Sequence, residues 1–248
     1  MTSTPGSAGP TAATTPPPSE PGRPHGPEPA APASAPVTGD RHRFTPAERW
    51  VHRTTGALML VCVASAACLY VPGLAELVGR RLLVVTLHQW SGLLLPVPVL
   101  LGLASRAFRA DLVRLGRFLP YDREWLRAVR RRDRRPEARP AGKFNAGQKL
   151  YAGWLTGAVL VMLGTGLLMW FTGLVPLVWR TSATFVHDWL ALAIGAVLAG
   201  HLTMAYGDPE ARRGMRTGRV SRRWARREHP HWREERPYGG GERPYEKE

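Results

Sequence analysis

Residues 181–206 read TSATFVHDWLALAIGAVLAGHLTMAY, and the only Asp, Glu, Lys or Arg among them is Asp188. About 20 mostly apolar residues suffice to cross the hydrocarbon core of a bilayer as an α-helix. Two histidines, His187 and His201, interrupt this stretch. An ionisable side chain at such a depth is costly and indicates a functional site. The stretch therefore predicts a membrane-spanning helix that carries functional histidines.

Three further segments lack Asp, Glu, Lys and Arg and are long enough to span a membrane: residues 54–75, 82–105 and 150–179. The mean hydropathy of -0.20 resembles that of a soluble protein, but it averages apolar runs with strongly charged connections. The segregation predicts an all-α fold, an integral membrane four-helix bundle.

The distribution of positive charge predicts the orientation of the chain. The formal net charge of +15 arises from 34 Lys and Arg against 19 Asp and Glu. The basic residues concentrate in the N-terminal flank, in the connection at residues 106–149 and after Tyr206, while the other two connections carry few. Cytoplasmic flanks of membrane proteins carry this excess. Both termini are expected to be cytoplasmic, and the charge does not indicate a nucleic-acid partner.

The composition also predicts three regions. Residues 1–40 hold eleven of the 23 prolines with Ala, Ser, Thr and Gly, a composition typical of a disordered tail and not of a secretory signal. Residues 41–208 are expected to form the membrane domain, and residues 209–248 a basic cytoplasmic tail. Cys62 and Cys68 lie about 9 Å apart along one helix, too far for a disulfide within it.

Four histidines lie on the predicted spans, in matched positions. With the orientation above, His52 and His201 lie near the cytoplasmic ends of spans 1 and 4, and His88 and His187 near the outer ends of spans 2 and 4. Fourteen residues, close to four helical turns or about 21 Å, separate the two histidines of span 4. His88 is therefore expected to face His187, and His52 to face His201. Two such pairs are what two six-coordinate b haems in a bundle core require, and closed iron coordination suits electron transfer.

Glycines follow two of these histidines at the i+4 position. Gly56 follows His52, and Gly92 follows His88. Positions i and i+4 share a helix face, so a glycine there leaves room for a flat macrocycle. Ordinary close helix packing is the alternative explanation. The remaining four histidines lie in polar segments and are expected to be solvated: His25, His42, His229 and His231.

Local signals predict several helix ends. Thr45 followed by Pro46 and then Glu48 is typical of a capped helix start. The third span is expected to begin after residues 145–147, and the fourth near Thr184. Pro96 and Pro98 are expected to kink the second span.

Three stretches resemble the cytochrome b (gamma) subunit of respiratory formate dehydrogenases. The most specific is the string GKFNAGQK at residues 142–149. The others are RF at 43–44 with ERWVH at 48–52, and GRVSRRWA at 218–225 running to HPHW at 229–232. The resemblance covers about residues 41–235. It implies that His88 and His187 ligate the outer haem, and that His52 and His201 ligate the inner haem.

The resemblance also implies a menaquinone pocket at Asn145, Gly147 and Gln148, beside His201. Amide donors and access to cytoplasmic water suit quinone reduction. The other explanation of this string is a helix cap. Four arginines are candidates either for pairing with haem propionates or for anchoring the topology: Arg49, Arg53, Arg80 and Arg81.

The resemblance further implies the role of the whole protein. It would be the quinone-reducing subunit of a formate dehydrogenase in the bacterial cytoplasmic membrane, with two b haems. Its partners would be an iron–sulfur beta subunit and a molybdenum or tungsten alpha subunit that oxidises formate.

Other functions share these sequence features. A cytochrome b subunit of a hydrogenase or of a sulfur-compound reductase would use the same four histidines. A haem-free membrane anchor would not need them as ligands. A transporter is disfavoured because the spans show neither an inverted repeat nor an acidic residue at the bilayer centre.

Overall fold

The computed structural model describes residues 39–232 and is almost entirely helical. The predicted N-terminal tail therefore lies outside the described residues except for its last two positions, as does the end of the predicted C-terminal tail. In chain order the elements are β1 (Asp40–His42), α1 (Pro46–Tyr70), α2 (Pro72–Val78), α3 (Arg81–Leu94), α4 (Val97–Gly102), α5 (Arg106–Gly116), α6 (Pro120–Arg130), a 3₁₀ turn (Pro136–Ala138), α7 (Ala146–Trp170), α8 (Leu177–Gly207), α9 (Pro209–Thr217), β2 (Arg219–Ser221) and α10 (Arg222–Glu228).

Four segments are long and apolar enough to cross a membrane: α1, the pair α3–α4, α7 and α8. Helix α1 packs on α3, and α7 packs on α8. Met59, Leu95, Ala158 and Ile194, one residue from each span, form a buried cluster at the centre of the bundle. Many large apolar side chains face outward, as a lipid-facing surface requires. The predicted all-α membrane four-helix fold is confirmed.

The two ends of this bundle differ. At the end called here the terminal end, α1 and α7 begin and α8 finishes. At the opposite loop end, two short connections join α1 to α3 and α7 to α8. The predicted boundary at residue 208 coincides with the end of α8, but the division of the chain into three regions stays a prediction.

The start of α1 confirms the predicted cap. The Thr45 hydroxyl accepts the Glu48 amide at 3.3 Å, and the Glu48 carboxylate accepts the Thr45 amide at 2.5 Å. This reciprocal box satisfies two amide donors that a helix start otherwise leaves unpaired. The predicted kink is also confirmed, because α3 ends at Leu94 and α4 begins at Val97, on either side of Pro96.

Two other helix starts differ from the prediction. Helix α8 begins at Leu177, seven residues before the expected Thr184, because Pro176 precedes it and no helix breaker follows. The charge of Arg180 does not prevent helix formation at the water-facing end of the span. Helix α7 begins at Ala146 with Asn145 as its cap, so Gly147 belongs to the first turn.

Residues 39–44 and 209–232 pack together at the terminal end and are called here the terminal clasp. Strand β1 pairs antiparallel with β2, and Arg41 lies opposite Val220. Gly218 has φ +83°, and its carbonyl accepts the amides of Arg43 and Phe44. A Cβ at this glycine would lie 2.5 Å from the Phe44 carbonyl oxygen, so a larger residue would open the clasp.

His229 contradicts the prediction that it is solvated. It is 4% exposed, its ring centroid lies 4.8 Å from that of Trp224, and its Nδ1 is 2.6 Å from the Gly142 carbonyl. Trp224 and Trp232 cover the imidazole ring. The sequence around His229 is polar, so it gave no sign of this burial. His231 is exposed, as predicted, and stacks on Tyr121 at 4.9 Å.

The clasp is expected to loosen in acid because of His229. Burial, with a smaller effect from Arg43, lowers the pKa of this imidazole from 6.5 to about 3. Below pH 6.5 the unfolded segment binds a proton that the folded segment does not bind, so stability falls as the pH falls from 6.5 towards 3. The opening free energy of residues 219–232 is expected to drop by about 2 kcal/mol between pH 7 and pH 5.

Hydrogen exchange, corrected for the intrinsic rate at each pH, measures this opening. His229→Asn removes the titration, so its opening free energy should be lower at pH 7 but nearly constant down to pH 5. Amides in the middle of α7 provide the internal reference. An identical pH dependence in wild type and variant would assign the effect to another group.

Candidate functional site

The structure brings the four span histidines together as two pairs. The ring centroids of His88 and His187 lie 6.1 Å apart at the loop end, and those of His52 and His201 lie 6.3 Å apart at the terminal end. Ile194, in the buried cluster, lies midway between the two histidines of α8 and separates the pairs. This is the arrangement that the sequence predicts; the role of these side chains as haem ligands stays a prediction.

Hydroxyl groups contact Nδ1 of both rings in the loop-end pair. The Ser65 hydroxyl donates to the Val61 carbonyl at 2.7 Å and lies 2.9 Å from Nδ1 of His88. The Thr165 hydroxyl donates to its own helix at 2.8 Å and lies 2.9 Å from Nδ1 of His187. With the hydroxyl protons on these carbonyls, a proton on each Nδ1 can be donated to the hydroxyl oxygen. Each Nε2 then carries a lone pair, the form in which an imidazole binds a metal.

A cavity of about 1110 Å³ opens between the four spans around this loop-end pair. Its walls are mostly apolar, and Met59, Leu95 and Ile194 of the central cluster form its inner boundary. Gly92 lines it, and a Cβ there would meet nothing within 4 Å. A large apolar cavity with two convergent polar groups is typical of a cofactor pocket.

The spacing within both pairs fits one metal ion held between two imidazoles. A metal–nitrogen bond is about 2 Å long, and a ring centroid lies about 1 Å behind its nitrogen, which places two ring centroids about 6 Å apart. Among residues 39–232, no three or more His, Cys, Asp or Glu side chains are grouped so that they could hold a metal ion. The histidines lie in pairs, and paired imidazoles beside a large, mostly apolar cavity fit a haem.

The terminal-end pair has different surroundings. The Tyr151 ring stacks on His201 with centroids 4.9 Å apart and planes 10° apart. His52 is exposed, and its neighbour Gly56 has open space where a Cβ would stand. The buried hydroxyl of Thr55 has no hydrogen-bond partner among the described residues, so it reaches neither ring.

The predicted quinone residues form the cap of α7. The Asn145 side-chain oxygen accepts the Gln148 amide at 2.9 Å, and the Gln148 side-chain oxygen accepts the Asn145 amide at 3.0 Å. Each side chain thus keeps an NH₂ group that makes no hydrogen bond within residues 39–232. Gly147 faces Trp125, and a Cβ would lie 2.9 Å from that ring. The side-chain oxygens of Asn145 and Gln148 therefore cap the helix, as the alternative explanation proposed. Their NH₂ groups remain available to donate hydrogen bonds to a ligand.

An ionic cluster lies beside this cap. Lys143 Nζ is 2.5 Å from Asp111 and 3.2 Å from Glu48, so one ammonium group contacts both carboxyl groups. All three side chains are less than a tenth exposed. Burial, together with the neighbouring Glu48 carboxyl group, raises the pKa of Asp111 from 3.8 to about 7. The cluster can therefore hold or release a proton near neutral pH.

A second buried ion pair joins α6 to α7. Lys149 Nζ lies 2.6 Å from Asp122, and their side chains are 4% and 0% exposed. The same carboxylate oxygen accepts the Leu119 amide at 2.7 Å at the start of α6. The pair fixes α6 against the first turn of α7, which carries Gln148.

The arginines near the terminal-end pair hold the clasp to α1. Arg49 donates to the Arg216 carbonyl at 2.6 Å, and Arg53 donates to the carbonyls of Met215 and Arg216. These bonds anchor the end of α9. Arg80 and Arg81 stand at the exposed start of α3.

Sequence reasoning missed the side chains that contact the histidine rings. Ser65 and Thr165 are isolated hydroxyl residues within apolar spans, and Tyr151 follows the Gln148 cap by three positions. Hydroxyl residues in membrane helices usually bond to their own backbone, so only the packing of α1 against α3 and of α7 against α8 identifies them.

Comparison with known proteins identifies the class. The family model of prokaryotic cytochrome b561 matches residues 43–216, most of the described chain. This match contains all four spans and both histidine pairs. The chain belongs to this family and is a multi-pass membrane cytochrome b, a class that implies bound haem b.

Two curated relatives narrow the resemblance. One is the cytochrome b556(Fdn) subunit of the nitrate-inducible formate dehydrogenase of Escherichia coli K12, 32% identical over 94 residues, which are 37% of this chain and 43% of the relative. The other is the cytochrome b556 subunit of formate dehydrogenase of Haemophilus influenzae, also 32% identical over 94 residues, 37% of this chain and 40% of the relative. The match spans less than half the length of either relative. The predicted resemblance to formate dehydrogenase cytochrome b subunits is confirmed.

Proposed function

We propose that this chain is the cytochrome b subunit of a formate dehydrogenase and passes electrons through two b haems to menaquinone. The observation that carries the proposal is the presence of two imidazole pairs, whose ring centroids lie 6.1 and 6.3 Å apart. Helix α8 contributes one histidine to each pair, and these two histidines are fourteen residues apart. His88 and His187 hold one haem, and His52 and His201 hold the other. These residues would hold the haems, and bound haem would supply reversible one-electron transfer.

The quinone site lies at the first turn of α7. Asn145 and Gln148 donate through their side-chain NH₂ groups, and Gly147 donates through its amide, which has no partner within the helix. These donors hold the quinone carbonyls. Menaquinone takes up two electrons and two protons, and Asp111 in the neighbouring ionic cluster supplies a proton holder with a pKa of about 7.

The orientation of the chain gives this transfer a direction. The basic residues concentrate at the terminal end, which is therefore the cytoplasmic end. The loop end faces outward, where an iron–sulfur partner subunit delivers electrons. A molybdenum or tungsten subunit of the same complex oxidises formate. Electrons then cross the membrane inward, while protons for the quinone come from the cytoplasm.

A visible spectrum of the detergent-purified chain tests the haem assignment. The reduced-minus-oxidised spectrum is expected to show low-spin b haem, with two haems per polypeptide. Well-folded protein without haem would contradict the proposal and leave the chain as a membrane anchor.

The quinone assignment is tested on the same sample, by the rate at which menadione reoxidises the reduced protein. Asn145→Asp and Gln148→Glu each keep the capping oxygen and remove the NH₂ donor, so they should slow reoxidation by about five- to tenfold without unfolding α7. Ser105→Ala removes the matched cap of α5 and should leave the rate unchanged. Equal rates in all variants would place the quinone elsewhere.

A further inference from the structure

The two histidine pairs differ in how their rings are held. At the loop end, the Nδ1 atoms of His88 and His187 are each hydrogen-bonded to a hydroxyl, at 2.9 Å. His88 Nδ1 also lies 3.2 Å from the Cys62 carbonyl. Within residues 39–232, neither ring of the terminal-end pair makes a hydrogen bond. Ring stacking by Tyr151 orients His201 instead.

This difference affects how strongly each imidazole donates electrons. A hydrogen bond from Nδ1–H to an oxygen acceptor increases the basicity of Nε2. A more basic axial ligand stabilises the oxidised, more positive iron and lowers its reduction potential. Stacking without a hydrogen bond fixes the ring but does not produce this effect. By this effect, the loop-end haem is the harder of the two to reduce.

Charged residues also lie near both pairs. Asp188 follows His187 directly and lines the loop-end cavity, which Arg81 lines as well. Arg53 follows His52 directly, and carbonyls at the end of α9 hold its guanidinium in place. A nearby negative charge stabilises oxidised iron and a nearby positive charge stabilises reduced iron, and such effects are strong where water is excluded.

We propose that the hydroxyls of Ser65 and Thr165 set the haem of the loop-end pair at a lower midpoint potential than the haem of the terminal-end pair. Electrons then run downhill from the loop end to the terminal end. This inference rests on the proposed function, since it concerns the haems assigned there. Ser65 and Thr165 are positioning residues, because they act through the histidines and not on the iron.

A redox titration of the visible haem band, performed on the full chain in detergent, tests the inference. The wild type is expected to titrate as two components. Thr165→Val keeps the side-chain shape, removes the hydroxyl and should shift the lower component to a higher potential. The higher component should not move. Ser65→Ala should shift the same lower component, and Thr165→Ser should restore the wild-type value.

Thr156→Val is the matched control, because its hydroxyl bonds only to its own helix on the same α7. It should leave both components unchanged. The inference is overturned if Thr165→Val shifts the higher component or shifts neither component. In either case, the proposed function still stands if the protein binds two haems. Protein that binds no haem overturns both.

Discussion

Replacement of His88 by alanine is expected to leave the protein with one low-spin haem instead of two, and His187→Ala should remove the same one. His52→Ala and His201→Ala should each remove the other. The reason is that a haem with one imidazole missing either dissociates or becomes five-coordinate. Both outcomes halve the low-spin signal in the visible spectrum. Haem quantification then shows whether the affected haem has dissociated.

The pairing itself is tested by which component survives. In a redox titration, His88→Ala and His187→Ala should retain one common component, and His52→Ala and His201→Ala should retain the other. The double variant His88→Ala/His187→Ala should still hold one low-spin haem, whereas His88→Ala/His52→Ala should hold no low-spin haem. Different surviving components within one pair would contradict the pairing.

Two histidines outside the spans provide controls for these variants. His42 and His231 are exposed and lie in the clasp, and neither has a ring contact with a histidine of the two pairs among the described residues. Alanine at either position should leave two haems per chain. Loss of haem in these controls would show that general destabilisation, and not ligand removal, explains the other variants.

Replacement of Lys149 by methionine is expected to lower the free energy of unfolding by about 3–5 kcal/mol, because it leaves the Asp122 carboxylate buried without a counter-ion. The pair is 2.6 Å apart and its side chains are at most 4% exposed. Equilibrium unfolding in a denaturing detergent measures the loss. The variant should also release α6 from α7, and faster hydrogen exchange of the α6 amides would show this.

The double variant Lys149→Met/Asp122→Asn separates charge from packing. The asparagine oxygen can still accept the Leu119 amide, so most of the lost stability should return. Arg213→Met is the matched exposed control, because Arg213 and Asp40 are 37% and 34% exposed. That change should cost less than about 1 kcal/mol. Wild-type stability in Lys149→Met would show that the buried charge is compensated in another way.

The membrane architecture could be predicted because its signals are local. Charge-free runs define the spans, and the caps at Thr45 and the proline pair at Pro96 and Pro98 act within one or two turns. The early start of α8 was missed, because the helix begins seven residues before the expected Thr184 and its first turn carries Arg180. A charged residue ends a span in the membrane, but it does not end a helix in water.

The histidine pairs could also be predicted, because the length and direction of each span set the depth of its residues. The side chains around the rings could not. Whether Ser65 or Tyr151 contacts a ring depends on helix rotation, which the sequence pattern of a nearly uniform apolar span does not define. His229 was missed for a similar reason, since its burial depends on packing against Trp224 and Trp232 and on its contact with the Gly142 carbonyl in the loop before α7.

The pairing of β1 with β2 also affects the order of assembly on the ribosome. Residues 40–42 are synthesised before any span, whereas their partners at 219–221 follow the last span. At 5–20 residues per second, about 180 residues of synthesis separate the two strands by roughly 10–40 s. All four spans can enter the bilayer during that delay. Closure of the clasp is therefore a late step that follows the synthesis of all four spans.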